Sequence, residues 1–316
     1  MTAEAPARTQ LAYSAVIPTK DRPDAADAAI EVLLRQSRPP ERVVVVDAST
    51  SPYRPSDGIA REALRLGVDL VVITSRPSTS AQRNVGAGRV DTPVVLFLDD
   101  DVRLPADYAS TLLERWDAAG LEAFGGMAGT PAVVPRQGTL ERMVRRLAML
   151  NYVDPSGERM TLRRSGNVRY VPEPAGPVRV PALGAGATVY RTDLVLACPF
   201  DERFPGYAPG EDLEMAVRVA AAAPLLQSPE VRWEHLWDPR ERTAPRRWQV
   251  RGRCETYFRL RRLDRSPLTM AAFALSLVAE SGLALVESVR ERDTRHVRGF
   301  VGGVLRSLRS TARAER

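Results

Sequence analysis

Apolar residues in this chain fall into short unbroken runs, each stopped by a polar or charged residue and followed by a stretch of helical spacing. Residues 13–17 close at Pro18-Thr19. Pro23 opens a stretch in which Ala26, Ile30, Leu33 and Leu34 recur at helical intervals, ended by Pro39-Pro40. Residues 43–46 are four valines that stop at Asp47. After a loop with Pro52, Pro55 and Gly58, the spacing predicts a helix over 60–66, a strand over 70–73 and a helix over 80–90. Residues 94–98, rich in β-branched and aromatic types, run into Asp99, Asp100 and Asp101. Such runs are strands buried on both faces. Strand and helix alternating at this rhythm predict an α/β fold around a doubly wound, mostly parallel sheet. Ligands of such sheets sit outside the carboxyl ends of the strands. Pro18-Thr19, Asp47 and the three aspartates all fall there.

Further on, residues 105–119 read as a helix with Tyr108, Leu112 and Trp116 on one face. Residues 123–129 read as a strand whose glycines admit a second backbone. Between 151 and 181 the period fails, with Pro155, Gly157, Gly166, Pro172, Pro174, Gly176 and Pro177 in the way. A loop of that length is a functional lid or disordered. Order returns at 183–187 and in a strand over 188–190. A loop over 200–210 leads to Gly210-Glu211-Asp212, which opens a helix carrying Leu213, Ala216, Val217 and Ala220. After Pro229 a short strand over 231–233 leads to His235. The last third is helical and charged, and the chain has no internal repeats.

The chemistry concentrates at the aspartates. Like charges ~4 Å apart repel by roughly 4 kcal/mol at an effective dielectric of ~20, so the three need a cation, an arginine or open water. A solvated acidic turn ahead of Pro105 and a divalent-metal site for a phosphorylated substrate both fit. Asp47 reads equally as a solvated strand end. Glu211 and Asp212 suit the first turn of a helix through its dipole. His235, beside Trp233 and Trp237, also suits a packed aromatic cluster.

Composition narrows the class. At 316 residues and 44% hydrophobic, the chain can bury a large core. Its formal charge of +6 favours an acidic partner, although Lys20 is the single lysine and the rest is arginine, as codon bias alone would also produce. Cys198 and Cys254 lack metal-site or disulfide spacing, and residues 1–10 hold no signal-peptide apolar core, so the expectation is a cytoplasmic protein. No GxGxxG follows the first strand, which argues against a dehydrogenase, and no glycine-rich phosphate loop favours a sugar nucleotidyltransferase.

Taken together and in order, these segments resemble the family 2 inverting glycosyltransferases of the GT-A fold, over roughly residues 13–235. Val16-Ile17-Pro18-Thr19 with Arg22-Pro23 resembles the opening strand and nucleotide loop. Asp47 matches the acidic residue that contacts the base. Gln82-Arg83-Asn84-Val85-Gly86 is similar to the family's RNxG segment against the nucleotide. Asp99-Asp100-Asp101 resembles the DxD motif, with Asp101 the metal ligand and Asp99 and Asp100 nearer ribose and sugar. Gly184-Ala185-Gly186-Ala187 resembles the small-residue turn near sugar and acceptor. Glu211-Asp212 is similar to the ED motif, whose aspartate is the catalytic base, and His235 matches a further metal ligand.

The resemblance implies a GT-A domain over 13–238, with a nucleotide half (13–125) and an acceptor half (126–238). A flexible segment precedes it (1–12) and a basic helical region follows (239–316). It implies a UDP-, GDP- or dTDP-linked sugar donor and Mg²⁺ or Mn²⁺ on Asp101, assisted by Asp99 and His235. Pro18, Thr19, Arg22, Asp47, Arg83, Asn84, Asp99, Asp100 and Gly186 would bind the donor. Asp212 would act as base, with Glu211 binding the acceptor or orienting the loop. The acceptor hydroxyl is open among glycolipid, lipid-linked, glycan and natural-product classes. Two departures stand out. Ala48-Ser49-Thr50 lacks the usual second acid and glycine, and no QxxRW follows Asp212, although Arg246-Arg247-Trp248-Gln249 keeps a basic-aromatic cluster. Transfer of one sugar is the expectation, with a catalytically weak basic scaffold as the rival.

The C-terminal third crowds Arg240, Arg242, Arg246, Arg247, Arg251, Arg253, Arg259, Arg261, Arg262 and Arg265 among Trp248, Tyr257 and Phe258. That suits a solvated helical face, an anionic membrane or a phosphorylated acceptor. Nucleic acid is the lesser option, for no binding motif accompanies the charge. Over 268–289 the chain is most apolar, but Ser276, Glu280 and Glu287 form a polar stripe that argues against a membrane span. A packed helix, a homo-oligomer contact and an interfacial helix remain as readings.

Overall fold

The apolar runs become the strands of one sheet. In the computed structural model, which describes residues 10–134, 137–204, 206, 209–236, 244–262 and 264–314, the chain opens with β1 (Tyr13–Thr19), α1 (Pro23–Leu34), β2 (Arg42–Asp47) and α2 (Asp57–Leu66). Then come β3 (Asp69–Thr74), α3 (Thr79–Ala87), β4 (Val94–Leu98), β5 (Val102–Arg103) and α4 (Tyr108–Ala119). A 3₁₀ turn (Leu121–Ala123) leads to β6 (Gly126–Pro131), α5 (Thr139–Leu147) and the short strands β7 (Tyr152–Val153), β8 (Thr161–Leu162), β9 (Val168–Tyr170) and β10 (Val178–Val180). β11 (Ala187–Arg191), α6 (Thr192–Ala197), α7 (Glu211–Ala222), β12 (Leu225–His235), α8 (Ala244–Arg262), α9 (Pro267–Arg290) and α10 (Arg295–Ala314) complete it. Trp237, Arg240, Arg242 and most of the 1–12 segment lie outside the described residues.

The sheet order is β10-β12-β6-β11-β4-β1-β2-β3, with β5 on β12. β1 runs parallel to β2 and β4, and β2 to β3, while β11 lies antiparallel between β4 and β6. This is the mixed α/β, mostly parallel sheet expected. Every residue of β1 and β4 is buried, the physical reason that they read as unbroken apolar runs. On one face Trp116, Leu112 and Tyr108 of α4 and Ile30 and Leu33 of α1 share a core with Leu96 and Leu98.

Two expectations need correcting. Residues 151–181 do contain strands: β9 pairs with β7 and β8 in a separate three-stranded sheet, and β10 joins the main one. Strands of two or three residues are too short to show a period. β12 spans eleven residues, not three, and runs straight through Pro229. The register against β6 shifts between Ser228 and Arg232, and such an irregularity accommodates the missing proline N–H. The glycines of β6 do admit a second backbone: a Cβ on Gly129 would lie 2.5 Å from the Val231 carbonyl oxygen and 2.8 Å from the Tyr108 ring.

The chain forms two compact units. Met1–Ala132, Gly176–Phe200 and Met215–His235 make the first, which holds the main sheet. Val133–Ala175, Asp201–Glu214 and Leu236–Arg316 make the second. Within the second, α8 and α10 pack so closely that a Cβ on Gly303 would meet the Gln249 carbonyl oxygen at 2.3 Å, while Trp248 and Phe300 meet edge to face.

The polar stripe of α9 faces inward. Arg259 donates to Ser276 Oγ (3.1 Å), to Asn167 Oδ1 (2.6 Å) and to Glu255 (3.0 Å), and lies 3.3 Å from Glu280. Trp248 Nε1 donates to Glu287 (2.6 Å). Glu280 is fully buried, and its Oε2 has no hydrogen-bond partner. Burial, then the neighbouring Glu255, push its carboxyl up to about 7 against the pull of Arg259 and Arg251. The folded chain therefore keeps this proton to a higher pH than the unfolded chain does, and unfolding releases it, so stability rises as pH falls through about 7. Glu255 is also buried, but Arg251 and Arg259 hold it below the ordinary glutamate range, so its own contribution is lost only in stronger acid. Glu280→Gln is expected to flatten the neutral-range dependence and to raise Tm at alkaline pH. Thermal unfolding across pH checks it; a variant with the parent's slope would contradict the assignment.

Candidate functional site at the carboxyl ends of the strands

The loops after β1, β2 and β4 meet at one end of the sheet. Thr19 ends β1 and stands opposite Asp47 in register. Pro18 lies beyond Val16, the last β1 residue in register with β4, so its missing N–H breaks no ladder on that side. Gln82 of α3 ties the ends of β1 and β2 together, donating to the carbonyls of Thr19 (2.8 Å) and Val46 (2.7 Å). No signal marked Gln82 for this beyond its place beside Arg83-Asn84.

Asp47 is buried and organises its own loop, accepting from the backbone N–H groups of Ser49 (2.9 Å) and Tyr53 (2.8 Å). Ser49, in the segment without a second acid, accepts from the Asp21 N–H (2.6 Å), while Asp21 accepts from the Thr50 N–H (2.8 Å). The β1 and β2 loops are thereby laced together. Lys20 sits on this lacing, exposed and 3.7 Å from Asp21.

The three aspartates diverge. Asp99 accepts from Arg83 Nη2 (2.6 Å), and its own N–H donates to the Gly186 carbonyl (3.0 Å). A Cβ on Gly186 would come 3.0 Å from Asp99 Oδ2, so the small-residue turn is packed on this carboxylate. Asp100 is buried, accepts from Thr19 Oγ1 (2.7 Å) and pairs with Arg22 (3.1 Å). Burial pushes its carboxyl up to about 6 against the pull of Arg22 and of the Thr19 hydroxyl. Asp101 lies 3.4 Å from Arg22 and 3.3 Å from Nε2 of His235. His235 is placed by β12, whose last residue pairs with Val102 of β5, directly after Asp101. Its buried Nδ1 has no hydrogen-bond partner.

Thr19, Arg22, Asp100, Asp101 and His235 thus form one cluster, with Arg83, Asp99 and Gly186 linked beside it. Asp101 and His235 supply an oxygen and a nitrogen donor suited to Mg²⁺ or Mn²⁺, and Arg22 balances the carboxylates. Asp99, expected in the same donor set, is instead turned to Arg83. Asn84 is occupied elsewhere: its amide donates to the Phe200 carbonyl (2.9 Å) and accepts from the Phe200 N–H (2.8 Å). Phe200 in turn lies under the Arg83 guanidinium, 5.4 Å from its carbon, and edge-on to Phe97.

Glu211 and Asp212 belong to the second unit, where they open α7 after Gly210 in the left-handed region (φ 92°). Glu211 is buried, and Asp212, half-buried, accepts from the Leu213 N–H (2.8 Å). Among the described residues, three potential metal ligands converge within 4.8 Å at Glu287, Glu291 and His296. There His296, fully buried, lies 2.8 Å from Glu291 and closes the α9–α10 corner.

The architecture has solved relatives. GalNAc-T7, solved with UDP, GalNAc and Mn²⁺, superposes with a TM-score of 0.55 at 14% identity, over 90% of this chain and 59% of that one. A mannosyltransferase from Pyrobaculum calidifontis, in complex with GDP-Man and Mn²⁺, gives 0.51 at 15% identity, over 95% and 88%. TarS of S. aureus gives 0.50 at 18% identity, over 84% of this chain but 43% of its own. These likenesses show the fold, which is GT-A. No curated protein sequence matches significantly. Residues 14–168 match the model of Glycosyl transferase family 2, and that segment holds Thr19, Arg22, Asp47, Arg83 and all three aspartates.

Proposed function

We propose that the chain transfers one sugar from a nucleoside diphosphate sugar to an acceptor hydroxyl, with inversion at the anomeric carbon. The observation that carries this reading is the joining of Asp101 and His235, from distant parts of the chain, beside Thr19 and Arg22 at the strand ends. The solved relatives with UDP or GDP-Man and Mn²⁺ support the donor class and the metal. In this reading Asp101 and His235 hold Mg²⁺ or Mn²⁺, with Asp99 close by on Arg83. Bound there, the metal supplies Lewis-acid stabilisation of the departing diphosphate.

The chain's own residues do the rest. Asp47 contacts the base while fixing its loop, and Pro18, Thr19, Arg22 and Arg83 line the nucleotide. Asp100 and Asp99 take the ribose and sugar side, with Gly186 at the sugar as the turn that packs on Asp99. Asn84 acts by pinning Phe200 under Arg83. Asp212 accepts the acceptor's proton as the new carbon–oxygen bond forms and the bond to diphosphate breaks; Glu211 orients the α7 entrance.

Thermal shift with UDP-, GDP- and dTDP-sugars in Mn²⁺ tests the reading, followed by donor-hydrolysis assays with and without EDTA. One nucleotide class is expected to raise Tm in a metal-dependent way, and EDTA to stop turnover. Absence of stabilisation by any donor would favour the non-catalytic scaffold. Consumption of a sugar phosphate with a nucleoside triphosphate would favour a nucleotidyltransferase.

A further inference from the structure

α9 is inside out for a helix in water. Its buried side carries Thr269, Ser276, Glu280 and Ser288 with a few small or aromatic residues. Its solvent side carries Leu268, Leu275, Val278, Leu285, Val286 and Val289, with Val278 and Val289 each 70% exposed. From Leu268 to Val289 no exposed charge interrupts that side. A helix of a water-soluble domain has the opposite arrangement, and an apolar surface of this length marks an interaction site. Among the described residues α9 is also the one helix long and apolar enough to cross a bilayer. Its buried Glu280 and half-buried Glu287, already engaged by Arg259 and Trp248, argue instead for a helix lying flat.

α5 repeats the arrangement on a smaller scale. Leu140, Met143, Val144 and Leu147 share one side at helical spacing, all are exposed, and no residue of the helix is buried. Arg142 and Arg146 flank them. Arg163 ties the end of the helix down through the carbonyls of Arg145 (3.2 Å), Arg146 (2.5 Å) and Leu150 (2.7 Å).

Charge selects the occupant. α10 contains arginines and no acidic residue, and its exposed Val301, Leu305 and Leu308 stand among exposed Arg298, Arg306 and Arg309. Exposed Arg290, Arg292 and Arg295 surround the α9–α10 corner. The second unit carries the chain's whole positive excess, whereas the first holds more acids than bases. A second copy would set these arginines against one another, and nucleic acid would leave the leucines and valines in water. A leaflet of anionic lipid satisfies both.

We propose that the second unit docks on an anionic membrane surface, with α9 and α5 in the interface, their apolar sides in the acyl layer and the arginines at the lipid phosphates. The proposal stands apart from the transferase reading. Flotation of the full chain tests it, using vesicles of phosphatidylcholine alone and of equal parts phosphatidylcholine and phosphatidylglycerol. Flotation is expected with the anionic vesicles, weakening as salt rises, and not with the neutral ones. Val278→Glu with Val286→Glu, and separately Met143→Glu with Leu147→Glu, are each expected to lower binding about tenfold or more. Tm and nucleotide-induced thermal shift should not change, since these side chains are exposed. Wild-type chain that stays unbound with anionic vesicles would overturn the proposal. So would flotation unaffected in both double variants, or a dimer in light scattering that both variants abolish while vesicle binding is nil.

Discussion

Asp101→Asn is expected to lower donor turnover in Mn²⁺ by about 10²–10³-fold and to remove the metal dependence of nucleotide binding. The change is isosteric, and Arg22 keeps Asp100 as a partner 3.1 Å away, so the fold and the lacing of the loops survive. What disappears is the carboxylate that faces His235. A Lewis acid at a leaving diphosphate stabilises the transition state by several kcal/mol, and each 1.36 kcal/mol is tenfold in rate. Calorimetric titration of UDP and GDP with and without Mn²⁺, set beside kcat/KM, measures both effects. A variant that binds nucleotide with the parent's metal dependence would remove Asp101 from the donor set.

Asp212→Asn should act on the chemical step alone. A general base in position contributes about 10²–10⁴-fold, and that loss is expected in kcat, with the nucleotide's Kd unchanged. The carboxylate is half-buried at the first turn of α7 and accepts the Leu213 N–H, a bond that the asparagine oxygen reproduces, so the helix entrance is kept. Glu211→Gln, if Glu211 only orients that entrance, should cost less and show in the acceptor's KM. Full turnover in purified Asp212→Asn would end the base assignment.

The main sheet was legible because a parallel sheet covered on both sides needs uninterrupted apolar strands, and these stop where the loops of the site begin. That same physics displayed Asp47 and the three aspartates as strand ends. The roles of individual side chains were less visible. Asn84 looks like a nucleotide contact, yet its amide closes on Phe200, more than a hundred residues away, a pairing that no local spacing announces. Asp99 and Asp101 sit two positions apart but face Arg83 and His235, since the turn after β4 aims them differently. The strands between 151 and 181 escaped because proline and glycine erase the period and each strand is short. α9 was legible only in part. Its polar stripe could be read from the sequence, but not the side that it faces, which Arg251 and Arg259 from a distant stretch of chain turn inward.

Lys20 carries a practical corollary. The chain has a single lysine, and that residue is exposed on the loop after β1, against Asp21. An amine-reactive fluorophore would find one side-chain target in the whole protein, on the loop where the proposed donor would bind. Donor arrival could then be followed optically in the wild-type sequence, without introducing a cysteine or a tag.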